Sequence, residues 1–283
     1  NVKGGLSLTM AEGNTIFFNA GYNSRQPYLD NIFNRNTGFI TELVSPAVEN
    51  ENITSFEAGY RFKMNNFRAN FNAYVTNWTD RTLSSFGQDD NGTPDDDTDD
   101  FDTTTLQRGI TQYHSGAELD VRYRATDWLS FKGFVSAGSW TYKGEAVVST
   151  YNAETNEQIG ETSTVNRDGI KVSTAPQFTA GMGFDAKIMS GLSIDARIKY
   201  NDNHYEFSNE NTSIDDYTGA QLGSYALTNA GITYRFSLGN SNKMTFRANM
   251  FNVFDKVAIQ QTDRFGYFTT GGRTFNASMR YEF

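Results

Sequence analysis

The chain has 283 residues, a formal net charge of −9, no cysteine and 14 % aromatic residues. The missing cysteines exclude a disulfide framework and every thiolate metal or redox centre, and a pI near 4.8 argues against a nucleic-acid binder, which needs a basic face. No apolar run reaches the roughly 18 residues of a membrane-spanning helix, mean hydropathy is −0.57, and no basic-then-apolar leader follows Asn1.

Taken in chain order, the dominant pattern is alternation with period two, the mark of a strand with one apolar face. It predicts eleven strands, over 2–10, 14–26, 53–63, 66–82, 109–124, 128–142, 175–189, 192–207, 222–237, 243–254 and 272–283. In the fourth, Phe67, Phe71 and Val75 oppose Arg68, Asn70 and Asn72. In the fifth, Leu119, Val121 and Tyr123 oppose Glu118, Asp120, Arg122 and Arg124. In the eighth, Leu192, Ile194 and Ile198 oppose Asp195, Arg197 and Lys199. Most of these runs reach or approach the nine to eleven residues that cross a bilayer at a tilt.

The connections alternate between short and long. Ala11–Gly13, Met64–Asn65, Ala125–Asp127, Ser190–Gly191 and Leu238–Asn242 are short; Pro27–Asn52, Leu83–Arg108, Lys143–Thr174, Ser208–Gln221 and Asp255–Gly271 are long. Short turns at one end and long loops at the other are the plan of an outer-membrane barrel. Aromatic residues crowd beside the short turns, as in an interfacial girdle: Tyr60, Phe62 and Phe67; Tyr123, Trp128 and Phe131; Tyr234, Phe236 and Phe246. The expected fold is therefore all-β, an antiparallel transmembrane barrel. Single-chain bacterial barrels have even strand counts, and open edges in lipid leave backbone groups unpaired. The eleven strands are accordingly expected to be half of a closed 22-stranded barrel.

Four segments carry a family resemblance. Phe18–Pro27 reads FNAGYNSRQP; Pro46–Phe62 holds Glu57, Gly59 and Arg61; Gly116 and Glu118 form a Gly-x-Glu; and Asn252–Asp255 reads NVFD, followed by Gly272-Arg273-Thr274 and a terminal Tyr-Glu-Phe. In order and spacing they resemble the C-terminal half of the barrel of TonB-dependent outer-membrane receptors, across residues 1–283. The resemblance implies a Gram-negative outer membrane, and a plug domain, TonB-box and first barrel half outside this sequence. It also implies energised uptake of a scarce small extracellular ligand, such as a siderophore, a cofactor or an oligosaccharide. The partners it implies are the TonB complex, reached through the N-terminal region, the outer-membrane lipid and the barrel assembly machinery; no nucleic acid is expected. A passive porin or adhesin-type barrel, and a soluble glycan-binding β-protein, remain as alternatives.

Candidate site residues follow from the same pattern. Met279, Tyr281 and Phe283 form an apolar terminal stripe, the expected membrane-insertion signal. Arg61, Arg68, Glu118, Asp120, Arg122, Arg124, Asp195, Arg197, Arg247 and Arg273 are expected to face the lumen or a plug. Eight aspartates lie between Asp89 and Asp102, and without them the net charge of −9 becomes −1. Within this run Asp89, Asn91, Asp95, Asp96 and Asp97 partly resemble a calcium loop, although the Glu closing an EF-hand is absent; a solvated loop is the competing reading. No other cofactor is expected. His114 and His204, the two histidines, have no serine or carboxylate at a recognisable catalytic spacing, and no enzyme motif appears. Loop aromatics, among them Tyr28, Phe33, Phe39, Phe86, Tyr151, Tyr205, Tyr217, Tyr267 and Phe268, suit either ligand stacking or loop packing.

Overall fold

The computed structural model describes residues 1–32, 47–95, 97–208, 212–239, 242–263 and 265–283. Among them the main sheet follows one antiparallel path of eleven strands. These are β1 (Val2–Ala11), β2 (Asn14–Arg25), β3 (Glu51–Lys63), β4 (Phe67–Asp89), β5 (Phe101–Arg124), β6 (Leu129–Lys143), β9 (Phe178–Met189), β10 (Leu192–Asp202), β11 (Tyr225–Leu238), β12 (Asn242–Phe251) and β15 (Thr274–Glu282). All eleven expected strands are present, in sequence order, and β1 and β15 are the two ends of an open sheet.

Three stretches expected to be loops carry strands instead. β4 and β5 run on as one long hairpin past Leu83–Arg108, pairing out to Asp89↔Phe101. Two local distortions hid this: Asp80 and Gly109 both have positive φ, 59° and 74°, and the register shifts between Trp78 and Leu83. Such a bulge breaks the period-two pattern that marks a strand. The stretch 143–174 holds β7 (Glu145–Asn152) and β8 (Gln158–Asn166), and β7 pairs with the outer half of β5. The stretch 255–271 holds a small separate hairpin, β13 (Ile259–Asp263) and β14 (Gly266–Thr269).

The distribution of apolar side chains inverts that of a water-soluble domain. Buried apolar residues such as Leu106, Ile110, Tyr151, Ile170 and Val172 lie in the superstructure at the long-loop end. Along the strands the large apolar side chains are on the outside. One register row joins Leu8, Ile16, Tyr60, Phe71, Leu119 and Val135, then passes Ala180 to Tyr200. Apart from the alanine, every member is between 36 % and 65 % exposed. A band this continuous far exceeds the scattered apolar surface normal for a soluble monomer.

The opposite face is polar and is packed by glycine sockets. Phe17 is buried, and its ring occupies the place of a Gly59 side chain: a Cβ there would lie 2.2 Å from the ring. The Arg61 guanidinium covers the same ring at 4.3 Å. Tyr74 likewise lies over Gly116, where a Cβ would be 2.7 Å from its hydroxyl, and it accepts a 3.0 Å hydrogen bond from the Trp140 indole. Phe134 covers Gly181 in the same way, at 2.5 Å. Replacing Gly59 by valine should therefore destabilise the sheet by about 1–3 kcal/mol through overpacking. It is read as a lower temperature at which the folded band of an unheated gel sample is lost. Adding Phe17→Ala should recover part of the loss; no recovery would show that the ring does not fill the socket.

Candidate functional site

The polar face is the candidate site, and the register arranges its charges. Lys63 stands opposite Arg68, Arg68 opposite Arg122, and Arg122 opposite Lys132. Lys132 faces Gly183, which faces Arg197. The row lies toward the short-turn end of the sheet and adjoins hollows of about 480, 450 and 400 Å³. Lys132 pairs with Asp185 at 3.0 Å, with both side chains about half exposed. Such a pair contributes at most about 1 kcal/mol.

Most of the other residues expected to face the lumen lie near this row, and Arg273 does not. Asp120 lies two residues above Arg122, opposite Asn70 and Phe134. Glu118 accepts from Ser136 at 3.3 Å and from Asn72 at 3.5 Å. Arg247 on β12 reaches across β11 to Asp195 on β10 and donates through both terminal nitrogens, at 2.5 and 3.1 Å. It also donates to Thr233 at 2.8 Å and, through Nε, to Asn249 at 2.8 Å. Gly231 makes the crossing feasible, since a Cβ there would sit 2.3 Å from the guanidinium. Arg124 ends β5 at a short turn, its N–H bonded to Asn66 O. Arg273 is at the other end of the sheet, where its N–H donates to Asp255 at 2.7 Å. Lys63 and Lys132, which complete the cationic row, were not among the expected site residues. Their signal is parity alone: Lys63 shares the side of Arg61.

The NVFD segment closes the base of the last long loop. Asn252 takes positive φ, 47°, and its amide nitrogen donates to Lys256 O and Gly271 O at 3.0 and 2.9 Å. Its side-chain oxygen accepts from Lys256 N at 2.8 Å. At the outer rim Arg25 and the Trp78 indole both donate to one Glu51 oxygen, at 2.7 and 3.0 Å. Trp78 is covered by the guanidiniums of Arg25 and Arg81.

His114 stacks on Trp140 at 5.5 Å between ring centroids. His204 is buried beside Tyr225, with Nε2 3.2 Å from Ile259 O. Met279 and Tyr281 stand opposite Phe246 and Met244 on the apolar face, and the Tyr281 ring packs against Phe283. Among the loop aromatics, Tyr151 is buried against Leu106, and the Lys171 ammonium lies over Tyr205 at 5.8 Å. Phe33 and Phe39 lie outside the described residues.

The acidic run forms the tip of the β4–β5 hairpin. Asn91 N donates to Asp89 at 2.9 Å, and Gly92 N to Asp90 at 3.0 Å. Asp99 accepts from the Thr93 hydroxyl at 2.7 Å and from the Asn91 amide at 3.1 Å. Among the described residues no group of three or more acidic, histidine or cysteine side chains is placed to hold a metal; Asp96 lies outside them.

A sheet with an apolar outer band, a charged opposite face, short turns at one end and long loops at the other is built as the wall of an outer-membrane-type barrel. The family described as TonB dependent receptor-like, beta-barrel, matches residues 2–253, and the chain belongs to that family. Solved structures share its fold at low identity. The ferric yersiniabactin uptake receptor FyuA of Yersinia pestis superposes with a TM-score of 0.67 at 15 % identity, over 99 % of this chain and 37 % of its own. The ferric-catecholate import receptor Fiu of E. coli K12 gives 0.64 at 15 %, over 99 % and 34 %. The siderophore receptor PiuA of Acinetobacter baumannii gives 0.64 at 15 %, over 99 % and 35 %. The chain thus spans just over a third of these receptors. No curated protein matches it.

The tip carries a pH signature. Hydrogen bonds from Thr93 and then Asn91 hold the Asp99 carboxyl below its ordinary value. Reduced hydration, followed by the charges of Asp97, Asp99, Asp90 and Asp89, pushes Asp100 up. A depressed pKa stabilises the folded tip above the ordinary carboxylate value, and that contribution is lost as pH falls through the depressed one. A raised pKa has the opposite sign, so Asp100 protonation relieves the tip first. On acidification, carboxyl-carbon NMR should show Asp100 titrating before Asp99, with Thr93→Ala moving Asp99 upward. Coincident or reversed midpoints would contradict this arrangement.

Proposed function

We propose that this chain is the C-terminal half of the barrel of an outer-membrane receptor that imports a scarce ligand with energy delivered by TonB. One observation supports it above the others: a sheet of this receptor family carries an exposed apolar row across its strands and a charged face behind it. In lipid the apolar row contacts acyl chains and the charged face lines the lumen. The long loops and the hairpins β7–β8 and β13–β14 then stand outside the cell, where a ligand arrives, and the short turns face the periplasm. Met279 and Tyr281, opposite Phe246 and Met244, extend the apolar row across the last strand and would contact lipid there. The family resemblance and the siderophore receptors that share the fold favour a chelated metal as the ligand.

The test uses the full-length receptor in Gram-negative outer membranes. Unheated and boiled samples on a denaturing gel should migrate differently, as a closed barrel does. Cells starved of iron should accumulate radiolabelled ferric siderophore only while TonB and the inner-membrane proton gradient are intact. Accumulation that survives loss of the gradient would make the protein a passive porin. A soluble product whose migration ignores heating would remove the membrane reading altogether.

A further inference from the structure

We infer that the part of the β4–β5–β7–β8 sheet beyond Asp80, Gly109 and Gly144 is a hinged lobe, which tilts as one body on the wall below it, with Asn31 as its catch. The inference goes beyond the receptor reading and uses it only to place the lobe outside the membrane. Its first support is a line of special backbone. Asp80 on β4, Gly109 on β5 and Gly144 between β6 and β7 have φ of 59°, 74° and 70°. The pairing puts all three at one level. Below it, Trp78↔Gln112 and Thr111↔Lys143 end the regular ladders; above it, Leu83↔Gln107 and Arg108↔Val147 resume them, with Arg81↔Ile110 alone between. At Gly109 and Gly144 an added Cβ would meet nothing within 4 Å. These two glycines therefore serve the backbone angle and not close packing. Asp80 reaches the same region with its carboxylate held by Asn52 and Thr79, at 2.8 and 2.7 Å.

The second support is that a regular sheet stands on each side of the line. Above it, β4 pairs with β5 out to Asp89↔Phe101, β7 with β5 out to Thr103↔Asn152, and β8 with β7. Leu106 and Tyr151 form a small buried core in this lobe, and Val48 packs against it. Below the line β3, β4, β5 and β6 pair without a register shift down to the short turns. At the line β5 changes partner from β6 to β7. Two ordered bodies joined through a few residues of unusual φ are the arrangement in which a hinge absorbs rotation. Strands rise about 3.4 Å per residue, so the arm from Leu83 to Asp89 is roughly 20 Å long and a tilt of about 20° moves its tip by roughly 7 Å.

The third support is the catch. Asn31, buried in the β2–β3 connection, donates from its amide nitrogen to Thr82 O at 2.8 Å. Its side-chain oxygen accepts from Ser84 N at 3.1 Å and from the Ser84 hydroxyl at 3.2 Å. The segment that carries Asn31 is itself tied to the rim: the Arg25 guanidinium lies over Tyr28 at 4.5 Å and donates to Glu51 at 2.7 Å. One side chain thus fastens the first residues of β4 above the line to strands β2 and β3. Arg167 lies on the line itself, where its N–H donates to Gly144 O at 2.9 Å and its guanidinium covers Tyr142 at 4.2 Å.

The test uses the full-length receptor in nanodiscs, with heat-dependent gel migration showing that the barrel has formed. Glu154→Cys at the β7–β8 turn and Thr274→Cys on β15 carry spin labels, in a background without other reactive cysteine. Their separation is read by pulsed electron paramagnetic resonance in the parent and in Asn31→Ala, and amide hydrogen exchange is read in the same samples. Asn31→Ala should shift or broaden the distance distribution while 84–88 and 103–107 keep the protection of the parent. In the parent, the segments 79–83, 108–110 and 143–146 should exchange faster than the strands on either side. An unchanged distribution would overturn the inference. So would loss of protection throughout the lobe, which is local unfolding and not a tilt. Should Asn31→Ala fail to form a barrel, the parent's exchange profile decides alone, and protection that runs undiminished through the line overturns the hinge. A parent that is not heat-modifiable marks failure of the receptor reading instead.

Discussion

Everything in this protein depends on inter-strand register. A sheet placed in lipid has no water to satisfy its backbone, so each N–H and C=O needs a partner on the next strand. Pairing alone, however, does not say which side faces out. A slip of one residue between neighbours would carry every side chain to the other face. Here the short turns hold the pairing, so that Tyr60, Phe71, Leu119 and Val135 meet on one side and Lys63, Arg68, Arg122 and Lys132 on the other. The apolar band and the cationic row are two consequences of the same alignment.

The glycines of the polar face show how a sheet packs without a second layer. A side chain on one strand has no opposing sheet to enter, so it lies sideways over its neighbour. Where that neighbour is glycine, the ring or guanidinium meets backbone rather than Cβ. Burial of Phe17 over Gly59 is worth about 1.5–3 kcal/mol, and the guanidinium of Arg61 above it about 0.5–1 kcal/mol more. Gly116 under Tyr74 and Gly231 under Arg247 repeat the device with a polar partner. This is the physical content of the Glu-x-Gly-x-Arg and Gly-x-Glu patterns: the glycine is a socket, and the charged residue two positions away lies on the same side of the strand.

How much of this was legible in sequence depends on the range of the interaction. Period-two alternation is local, so all eleven barrel strands and their faces could be read directly. The outer halves of β4 and β5 could not. Asp80 and Gly109 interrupt the alternation, and the acidic tip suggests a solvated loop, although Leu106 and Ile110 are among the most buried residues. Strand β7 was hidden for a related reason, since its partner is the unrecognised outer half of β5. The site was legible residue by residue as a polar face, but not as a row. That Arg68, Arg122 and Lys132 stand abreast depends on turn lengths and strand stagger, which no single strand reveals.

The bulk charge of the chain conceals this arrangement. A net −9 suggests an acidic protein, yet without the eight aspartates of one hairpin tip it falls to −1, and the wall near the short turns carries a row of cations. The two populations lie at opposite ends of the same strands and cannot neutralise each other through contact. The fold therefore separates charge along its axis. The anionic tip keeps the long-loop end solvated, and the cations of the wall are balanced locally only where a carboxylate shares their face. Asp195 does this for Arg247 and Asp185 for Lys132, and Asp120 lies two residues from Arg122 on the same face of β5.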